Sequence, residues 1–219
     1  MIARELISTT ILPLKTSTTG LDALESMHDY SVRHLPIVNN TQLLGVISED
    51  DILDYDEADP LGSYQLSLTK PYAKENDHIF EVLHLMSNFN LTIIPVVDNA
   101  NDYLGCIAQE DLIMYFAKSF SFSEPGSIIV LEMNERDYSL SEIARIVESE
   151  NTRVLSTFVT SDPEIGKIYI TIKLNRQDVR AIIATFDRYE YVVLATYTEK
   201  DFEDSLKERY DLLMAYLNI

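Results

Sequence analysis

The chain has 219 residues, of which 46% are apolar and 24% are charged, a composition typical of one to three globular domains. Its 36 acidic residues outnumber its 17 basic residues, and the formal net charge is −19 at pH 7. This charge argues against nucleic acids and anionic membranes as partners, because both are bound through Lys and Arg contacts with phosphate groups. No stretch approaches the ~20 apolar residues that a membrane-spanning helix needs.

Several classes of site are disfavoured by residues that the sequence lacks. Cys106 is the single cysteine, so neither an intrachain disulfide nor a zinc site built from thiolates is expected. The N-terminal segment MIARELIS carries charges and has no apolar core of the secretory type, which favours a cytoplasmic protein. No two histidines stand four residues apart, so no helical metal site is predicted. The sequence has no G-x-S-x-G, Walker or G-x-G-x-x-G motif, and no catalytic residue is assigned.

The first half of the sequence consists of two copies of one repeated unit. Residues 33–53 read RHLPIVNNTQLLGVISEDDIL, and residues 92–113 read TIIPVVDNANDYLGCIAQEDLI. The copies are 59 positions apart at Pro36 and Pro95 and 60 apart at the glycine of the next strand, so the second turn has gained one residue. Two copies of a ~60-residue unit are too few for a solenoid, which needs at least three. A face-to-face pair with small-molecule clefts between the copies is therefore expected.

Each copy predicts a helix, a strand broken by proline, a polar turn, a second strand and an acidic helix start. Thr18 or Thr19 is expected to cap the first helix, and Asn76 or Asp77 its counterpart. The apolar positions of the first helix are Leu21, Leu24 and Met27, and those of the second are Ile79, Val82, Leu83 and Met86, with Phe80 in the position of Leu21. The strands at 35–38 and 93–97 are predicted to form hairpins with 42–47 and 102–107. Residues 54–66 contain Pro60 and Gly62 and predict a linker.

Beyond a second break at 118–126, the pattern changes to a βαββαβ order. Strands are predicted at 127–133, 153–160, 167–174 and 191–197, and helices at 139–150 and 178–188. This order predicts an antiparallel sheet with two helices on one face, the ferredoxin-like arrangement. A last helix at 201–217 carries an apolar stripe that must dock on the same chain or on a partner. The predicted fold class is α+β.

The doubled unit resembles a CBS domain pair, or Bateman module. The resemblance rests on HLPIV and IIPVV, on the glycine-bearing second strands, and on ISEDDI and IAQEDL. It implies CBS domains at 1–58 and 67–119. Residues 127–199 resemble an ACT domain through the βαββαβ order and the segment NERDYSLSEIARIVESENTRVL, with the final helix at 200–219. The combination is similar to bacterial regulators of the acetoin-utilisation type.

The CBS resemblance implies a ligand site in the first copy. In that family, a Ser or Thr followed three residues later by Asp holds an adenosyl ligand, with the hydroxyl at the phosphate and the carboxylate at the ribose. Ser48 and Asp51 keep this pair, whereas Ala108 replaces the hydroxyl in the second copy. The site implied in the first copy comprises Ser48, Asp51, Arg33, His34, Leu35, Pro36, Leu12 and Lys15. A weaker site in the second comprises Asp111, Ile94 and Pro95.

The charge around Ser48 restricts the ligand. Six carboxylates follow it closely, and they compete with phosphate for the positive end of the helix dipole: Glu49, Asp50, Asp54, Asp56, Glu57 and Asp59. Only Arg33, His34 and Lys15 are available to offset them. AMP, adenosine or S-adenosylmethionine is therefore expected as a regulatory ligand rather than a triphosphate, and no cofactor is required. The competing interpretation is that Ser48 only caps a helix.

In the ACT family, amino acids often bind where the first strand turns into the first helix, at a glycine. The corresponding residues 135–139 contain no glycine, so a side chain stands where close approach of a ligand is needed. Dimerisation through the sheet is the expected role of this domain instead.

The leading hypothesis is a non-catalytic regulatory protein that senses an adenosyl ligand through its CBS pair and acts on an unidentified protein partner. It is expected to be a homodimer in which CBS pair meets CBS pair. The alternative is a constitutive dimeric scaffold whose ligand pockets have degenerated. An enzyme is the third class, but no set of nucleophile, base and orienting residue is visible.

Overall fold

The computed structural model describes residues 1–64, 70–162 and 164–198, together with Tyr210, Leu212, Met214 and Tyr216. The chain forms two compact units, Met1–Tyr115 and Phe116–Ile219. The helix predicted at 201–217 lies outside the described residues except at those four positions, where the backbone is helical.

The first copy contains α1 (Gly20–Asp29), β1 (His34–Asn39), β2 (Gln42–Ser48) and α2 (Glu49–Leu53). Thr19 caps α1, and its Oγ1 accepts a hydrogen bond from the Asp22 amide at 3.2 Å. β1 and β2 form the predicted antiparallel hairpin. Leu14 adds a parallel bridge to Ile37, so an extended segment runs along the free edge of β1.

The second copy contains β3 (Ala73–Lys74), α3 (Ile79–Asn88), β4 (Ile93–Val97), β5 (Tyr103–Ala108) and α4 (Gln109–Ser119). β4 pairs with β3 in parallel and with β5 in antiparallel orientation. The predicted cap of α3 is wrong, because His78 Nδ1 accepts from the Phe80 amide at 3.2 Å. Asp77 instead accepts a hydrogen bond from the Lys74 amide at 2.8 Å.

Both hairpins carry the same bulge. The register shifts after Ile37 in the first copy and after Val96 in the second, each directly opposite a glycine, Gly45 or Gly105. Gly105 has a φ of 151°, and a Cβ there would collide with Ile7 and come within 3.0 Å of the Ser8 carbonyl oxygen. Glycine is therefore required at this position because the N-terminal segment passes directly over β5.

The N-terminal segment belongs to the second copy although it precedes the first in sequence. The Ala3 amide donates to the Asp77 carbonyl, and Ser8 forms an antiparallel bridge with Cys106. The side chains of Arg4 and Glu75 form an ion pair at 3.1 Å. The first eight residues, with a 3-10 helix at Ala3–Leu6, thus pack against the second copy through isolated bridges at Ile2 and Ser8.

The two copies share one hydrophobic core. Its buried members come from the first copy and from Ile93, Cys106 and Ala108 of the second. The hairpin turns also meet, because the Tyr103 amide donates to the Thr41 carbonyl at 2.7 Å. The pair is one folded body rather than two domains joined by a tether.

The segment predicted as a linker is largely part of the first copy. The Gly20 and Leu21 amides donate to the carbonyls of Asp59 and Glu57, which satisfies the free donors at the start of α1. Leu61 and Tyr64 are buried in the shared core. Residues 65 and 66 of this region lie outside the described residues.

The second unit has the predicted βαββαβ order and a four-stranded antiparallel sheet with strand order β7-β8-β6-β9. Alternate residues of β6 and β8 face a core that also contains Ile143, Ile146 and Phe186. Its elements are β6 (Ser127–Asn134), α5 (Leu140–Ser149), β7 (Val154–Asp162), β8 (Lys167–Leu174), α6 (Arg180–Arg188) and β9 (Val192–Thr198). The ferredoxin-like topology and the α+β class are confirmed, whereas kinship with ACT domains stays a prediction.

Candidate functional site

Ser48 and Asp51 form a closed hydrogen-bonded pair at the end of β2. The Ser48 amide and its Oγ donate to Asp51 Oδ2 at 2.9 Å and 2.6 Å, and the Asp51 amide donates to Ser48 Oγ at 3.1 Å. This reciprocal arrangement is a capping box. The helix-cap interpretation of Ser48 therefore describes its role in this structure, and its hydroxyl proton is already donated.

One oxygen of the Asp51 carboxylate is available to a further hydrogen-bond donor. All the hydrogen bonds to its carboxylate use Oδ2, and no described residue donates to Oδ1. The side chain is half-buried and its orientation is fixed by Ser48. A carboxylate that is held at one oxygen and unpaired at the other is well suited to accept hydrogen bonds from vicinal hydroxyl groups.

The helix that follows Ser48 offers little to a phosphate group. α2 has only five residues, and its first turn holds Glu49, Asp50 and Asp51. A single turn carries a small macrodipole, and carboxylates in that turn already occupy its favourable field. The expected competition between these acids and a phosphate is therefore stronger than the sequence alone indicates.

His34 lies beside Asp51 and contacts the second copy. Its Nδ1 accepts from the Thr92 amide at 3.3 Å and lies 3.0 Å from Thr92 Oγ1, while the Arg33 amide donates to that Oγ1 at 2.9 Å. Burial and the Arg33 charge lower the pKa of His34, while the Asp51 and Asp50 carboxylates oppose this shift. His34 is therefore a neutral ring with its proton on Nε2.

The structure divides the remaining candidates of the first copy. Leu35 and Pro36 are buried in β1, so a ligand can meet only their backbone atoms. Leu12 lies two residues before the Leu14–Ile37 bridge, and its side chain is 62% exposed. Arg33 is also exposed, and no described residue forms an ion pair with it. Its carbonyl accepts from the Glu49 amide, so Arg33 lies with Ser48, Asp51 and His34 at one end of β1.

Lys15 lies at the opposite end of β1. It lines a cleft of about 470 Å³ near the hairpin turn, with Thr16, Asn39 and Asn40 among the other lining residues. Five residue steps separate His34 from Asn39, or roughly 16 Å along an extended strand. Lys15 is thus not grouped with Ser48 and Asp51, which leaves Arg33 as the cation of that group.

The second copy lacks an equivalent site geometry. Ile94 and Pro95 are buried within β4, and Ala108 cannot accept or donate a side-chain hydrogen bond at the start of α4. Asp111 is half-buried near Cys106, whose pKa rises to about 11, mainly through burial. The thiol is therefore protonated at neutral pH, and Asp111 has no hydroxyl partner that corresponds to Ser48.

The second unit has its own cleft of about 430 Å³ where β6 leads into α5. Four carboxylates and one amine line it, and the Lys167 ammonium is already paired with Glu132 at 3.1 Å. Tyr191 Oη donates to Glu142 Oε2 at 3.1 Å, and burial raises the pKa of this tyrosine to about 12. This lining repels the carboxylate of an amino acid, which agrees with the expectation from the missing glycine.

The described part of the chain contains no cluster of three or more His, Cys, Asp or Glu side chains placed to hold a metal ion. None of its helices combines the length and apolar character needed to cross a bilayer.

The CBS domain model matches the sequence twice, at residues 3–58 and 65–118, which together make up half of the chain. The chain belongs to the CBS-domain family. It is 21% identical over 196 residues to an uncharacterized protein of Methanocaldococcus jannaschii, covering 82% of this chain and 71% of that protein. CBS domain pairs are generally regulatory rather than catalytic.

Two solved structures of CBS domain pairs are similar to about half of the chain. A CBS domain pair/ACT domain protein from Thermotoga maritima is 21% identical, with a TM-score of 0.49 over 54% of this chain and 98% of that one. A CBS domain pair in complex with 5-methylthioadenosine and S-adenosyl-L-methionine is 22% identical, with a TM-score of 0.44 over 54% of this chain and 97% of that one.

Thr92 is the site residue that the sequence did not indicate. Thr92 corresponds to Arg33, 59 positions earlier. This offset between the copies was the only feature of the sequence that could have linked Thr92 to the site. Residues related by a pseudo-twofold axis can meet across that axis, but the sequence does not show which pairs do so.

The capping box predicts opposite effects of two exchanges between the copies. Ser48→Ala removes the hydroxyl that accepts from the Asp51 amide and should lower the unfolding free energy by about 1 kcal/mol. Ala108→Ser introduces the same hydroxyl three residues before Asp111 and should raise it by a similar amount. Guanidinium unfolding of both variants is the measurement. A neutral Ser48→Ala substitution would show that the cap contributes nothing.

Proposed function

We propose that the protein is a non-catalytic regulator whose first CBS copy binds an adenosyl ligand of the AMP, adenosine or S-adenosylmethionine class. The observation that carries this proposal is the Asp51 carboxylate, which is fixed by Ser48 at Oδ2 and unpaired among the described residues at Oδ1. The ribose 2′ and 3′ hydroxyls are the natural donors to such a group. The exposed side chain of Leu12 supplies an apolar surface for the base.

The ligand is expected to carry little negative charge. Glu49 and Asp50 are exposed beside the Asp51 carboxylate, and the nearby cation is Arg33. One phosphate can be met by a single guanidinium, whereas a triphosphate adds charge without a second cation to meet it. Binding then acts on a protein partner by favouring one arrangement of the pair, to an extent limited by the difference in affinity between the two arrangements.

Exposed apolar side chains on the helices of the pair support self-association. Leu21 and Phe80 are equivalent positions and are 51% and 57% exposed. Leu53 and Ile113 are also equivalent and are 55% and 61% exposed. The sequence predicted Leu21 on the apolar face of α1 with Leu24 and Met27, and the structure leaves this member of the face half exposed. A repeated apolar surface of this kind favours a homodimer in which pair meets pair. A cytoplasmic location remains part of the proposal.

Ligand binding should be asymmetric between the copies. A thermal-shift screen with AMP, adenosine and S-adenosylmethionine identifies the ligand, since one-site binding at 100 times the dissociation constant adds about 2.7 kcal/mol of stability. Calorimetry then compares variants. Asp51→Ala should weaken binding by about 1.5–3 kcal/mol for each charge-assisted hydrogen bond lost, whereas Asp111→Ala should have little effect. Equal losses in the two variants contradict the asymmetry.

The same screen separates the regulator from the scaffold. A scaffold with degenerate pockets gives no shift with any of the three compounds, even at millimolar concentration. The Asp51→Ala variant serves as the control for nonspecific stabilisation, because a shift that survives this substitution does not arise from the proposed site.

Ligand charge should decide affinity. Without divalent cations, AMP is expected to bind more tightly than ATP, because Glu49 and Asp50 lie within the ~8 Å Debye length of the site. The difference in affinity between AMP and ATP should become smaller in a Glu49→Gln, Asp50→Asn double variant, and also when Mg²⁺ accompanies ATP. Calorimetric titrations test both. If metal-free ATP binds tenfold more tightly than AMP to the unmodified protein, the electrostatic argument is wrong.

The dimer should depend on the helices of the CBS pair. Light scattering is expected to give twice the 25.0 kDa mass of one chain at micromolar concentration. Phe80→Asp with Ile113→Asp should shift the particle to a single chain, because both exposed side chains would lose their apolar contact. Leu194→Asp, on an exposed position of β9, is the matched control for association through the second unit. Dissociation by the control alone would place the interface on the sheet.

A further inference from the structure

The two CBS copies are joined by hydrogen bonds at the starts of β1 and β4. The Arg33 amide donates to Thr92 Oγ1 at 2.9 Å, and the Thr92 amide donates back to His34 Nδ1 at 3.3 Å. Arg33 and Thr92 occupy the same position in the two copies, so this contact joins equivalent positions across the pseudo-twofold axis. Both backbone amides are satisfied by side chains of the opposite copy.

Each side of this contact continues into the start of a helix. The Glu49 amide, at the first residue of α2, donates to the Arg33 carbonyl at 3.0 Å. The Gln109 amide, at the first residue of α4, donates to the Thr92 carbonyl at 2.9 Å. An unbroken series of hydrogen bonds therefore runs from α2, through Arg33 and Thr92, to α4.

We infer that His34 and Thr92 form a proton-sensitive link that couples the start of α2 in the first copy to the start of α4 in the second. The significance of α2 as part of a ligand site rests on the proposed function, but the link itself is defined by its hydrogen bonds. Through it, a change at the site of Ser48 and Asp51 moves the peptide that holds the first residue of α4. Coupling of this kind is reciprocal, so a change at α4 also alters affinity at the first site.

Protonation removes one of the two hydrogen bonds of the link, the one from the Thr92 amide to His34, and leaves the one from the Arg33 amide to Thr92 Oγ1 in place. A nitrogen that accepts from the Thr92 amide must carry no proton, so this hydrogen bond requires the neutral ring of His34 with its proton on Nε2. The charged groups that face this ring are Arg33 on its own strand and Asp50 and Asp51 on α2. Arg33 and burial outweigh the two carboxylates and hold the pKa of His34 below 6.5.

The direction of the pH dependence follows from that shift. Above pH 6.5 the ring is neutral in both the folded and the unfolded protein, and the link is intact. As the pH falls below 6.5, the unfolded chain takes up a proton first, and the stability of the folded pair declines. The hydrogen bond from the Thr92 amide to His34 is lost as the pH falls through the folded-state pKa of His34.

The first test needs no ligand. The amide signals of Thr92 and Gln109 are followed by ¹H–¹⁵N NMR in the full-length protein from pH 8 to pH 5. Both are expected to titrate with the midpoint of the His34 ring, which lies below 6.5. His34→Asn keeps an acceptor without a titrating group and should abolish that midpoint at Gln109. His28→Asn, at an exposed histidine of α1, should leave it unchanged. A Gln109 signal that does not titrate in the unmodified protein overturns the link.

The second test uses AMP at saturation. The unmodified protein and Thr92→Ser, which retains the hydroxyl, should show shifted amide signals at both Glu49 and Gln109. Thr92→Val removes the acceptor of the Arg33 amide and should reduce the Gln109 response at least twofold while preserving that of Glu49. Response at Glu49 with none at Gln109 in the unmodified protein refutes the link but not the ligand site. No response at Glu49 to AMP, adenosine or S-adenosylmethionine refutes the proposed function, and the pH titration then decides the link alone.

Discussion

The burial of apolar side chains between the two CBS copies is the interaction on which the rest of this structure depends. Ile93, Cys106 and Ala108 of the second copy are enclosed among residues of the first, so the two sheets share part of their buried surface. Fully burying one aliphatic side chain stabilises the folded state by about 1.5–3 kcal/mol. This shared core fixes the distance between β1 and β4, and only at that distance can Thr92 reach Arg33 and His34.

The features that repeat in the sequence were the most predictable. The 59-residue offset, with one residue gained in the second turn, returns in the structure as two hairpins with the same bulge opposite Gly45 and Gly105. In β8, Ile168, Ile170, Ile172 and Leu174 alternate with other residues in the sequence, and these four are the buried ones. This agreement arises because a strand places successive side chains on opposite faces, so local sequence determines the buried face.

The predictions that failed depend on contacts distant in sequence. Residues 54–66 have a linker composition, yet Leu61 and Tyr64 are buried, because α1 needs carbonyl acceptors and an apolar cover at its start. Leu21 fits a helical apolar stripe but is exposed, since the stripe is wider than the face that the core covers. In the candidate site, the Ser48–Asp51 spacing indicated both a cap and a ligand pair. Lys15 was grouped with them by charge alone, and β1 separates it from them.

The path of the N-terminal segment has a consequence for how the molecule assembles. Residues 1–8 pack against the second copy through isolated bridges at Ile2 and Ser8, and Gly105 is the position that admits them. Cleavage between the copies would therefore separate this segment from the part of the second copy that it covers. The same geometry permits exchange between molecules, because a segment that pairs at a distance within its own chain also fits the identical acceptor of a second chain. Dimers that form during refolding at high concentration are then held together by swapped N-terminal segments rather than by the helices.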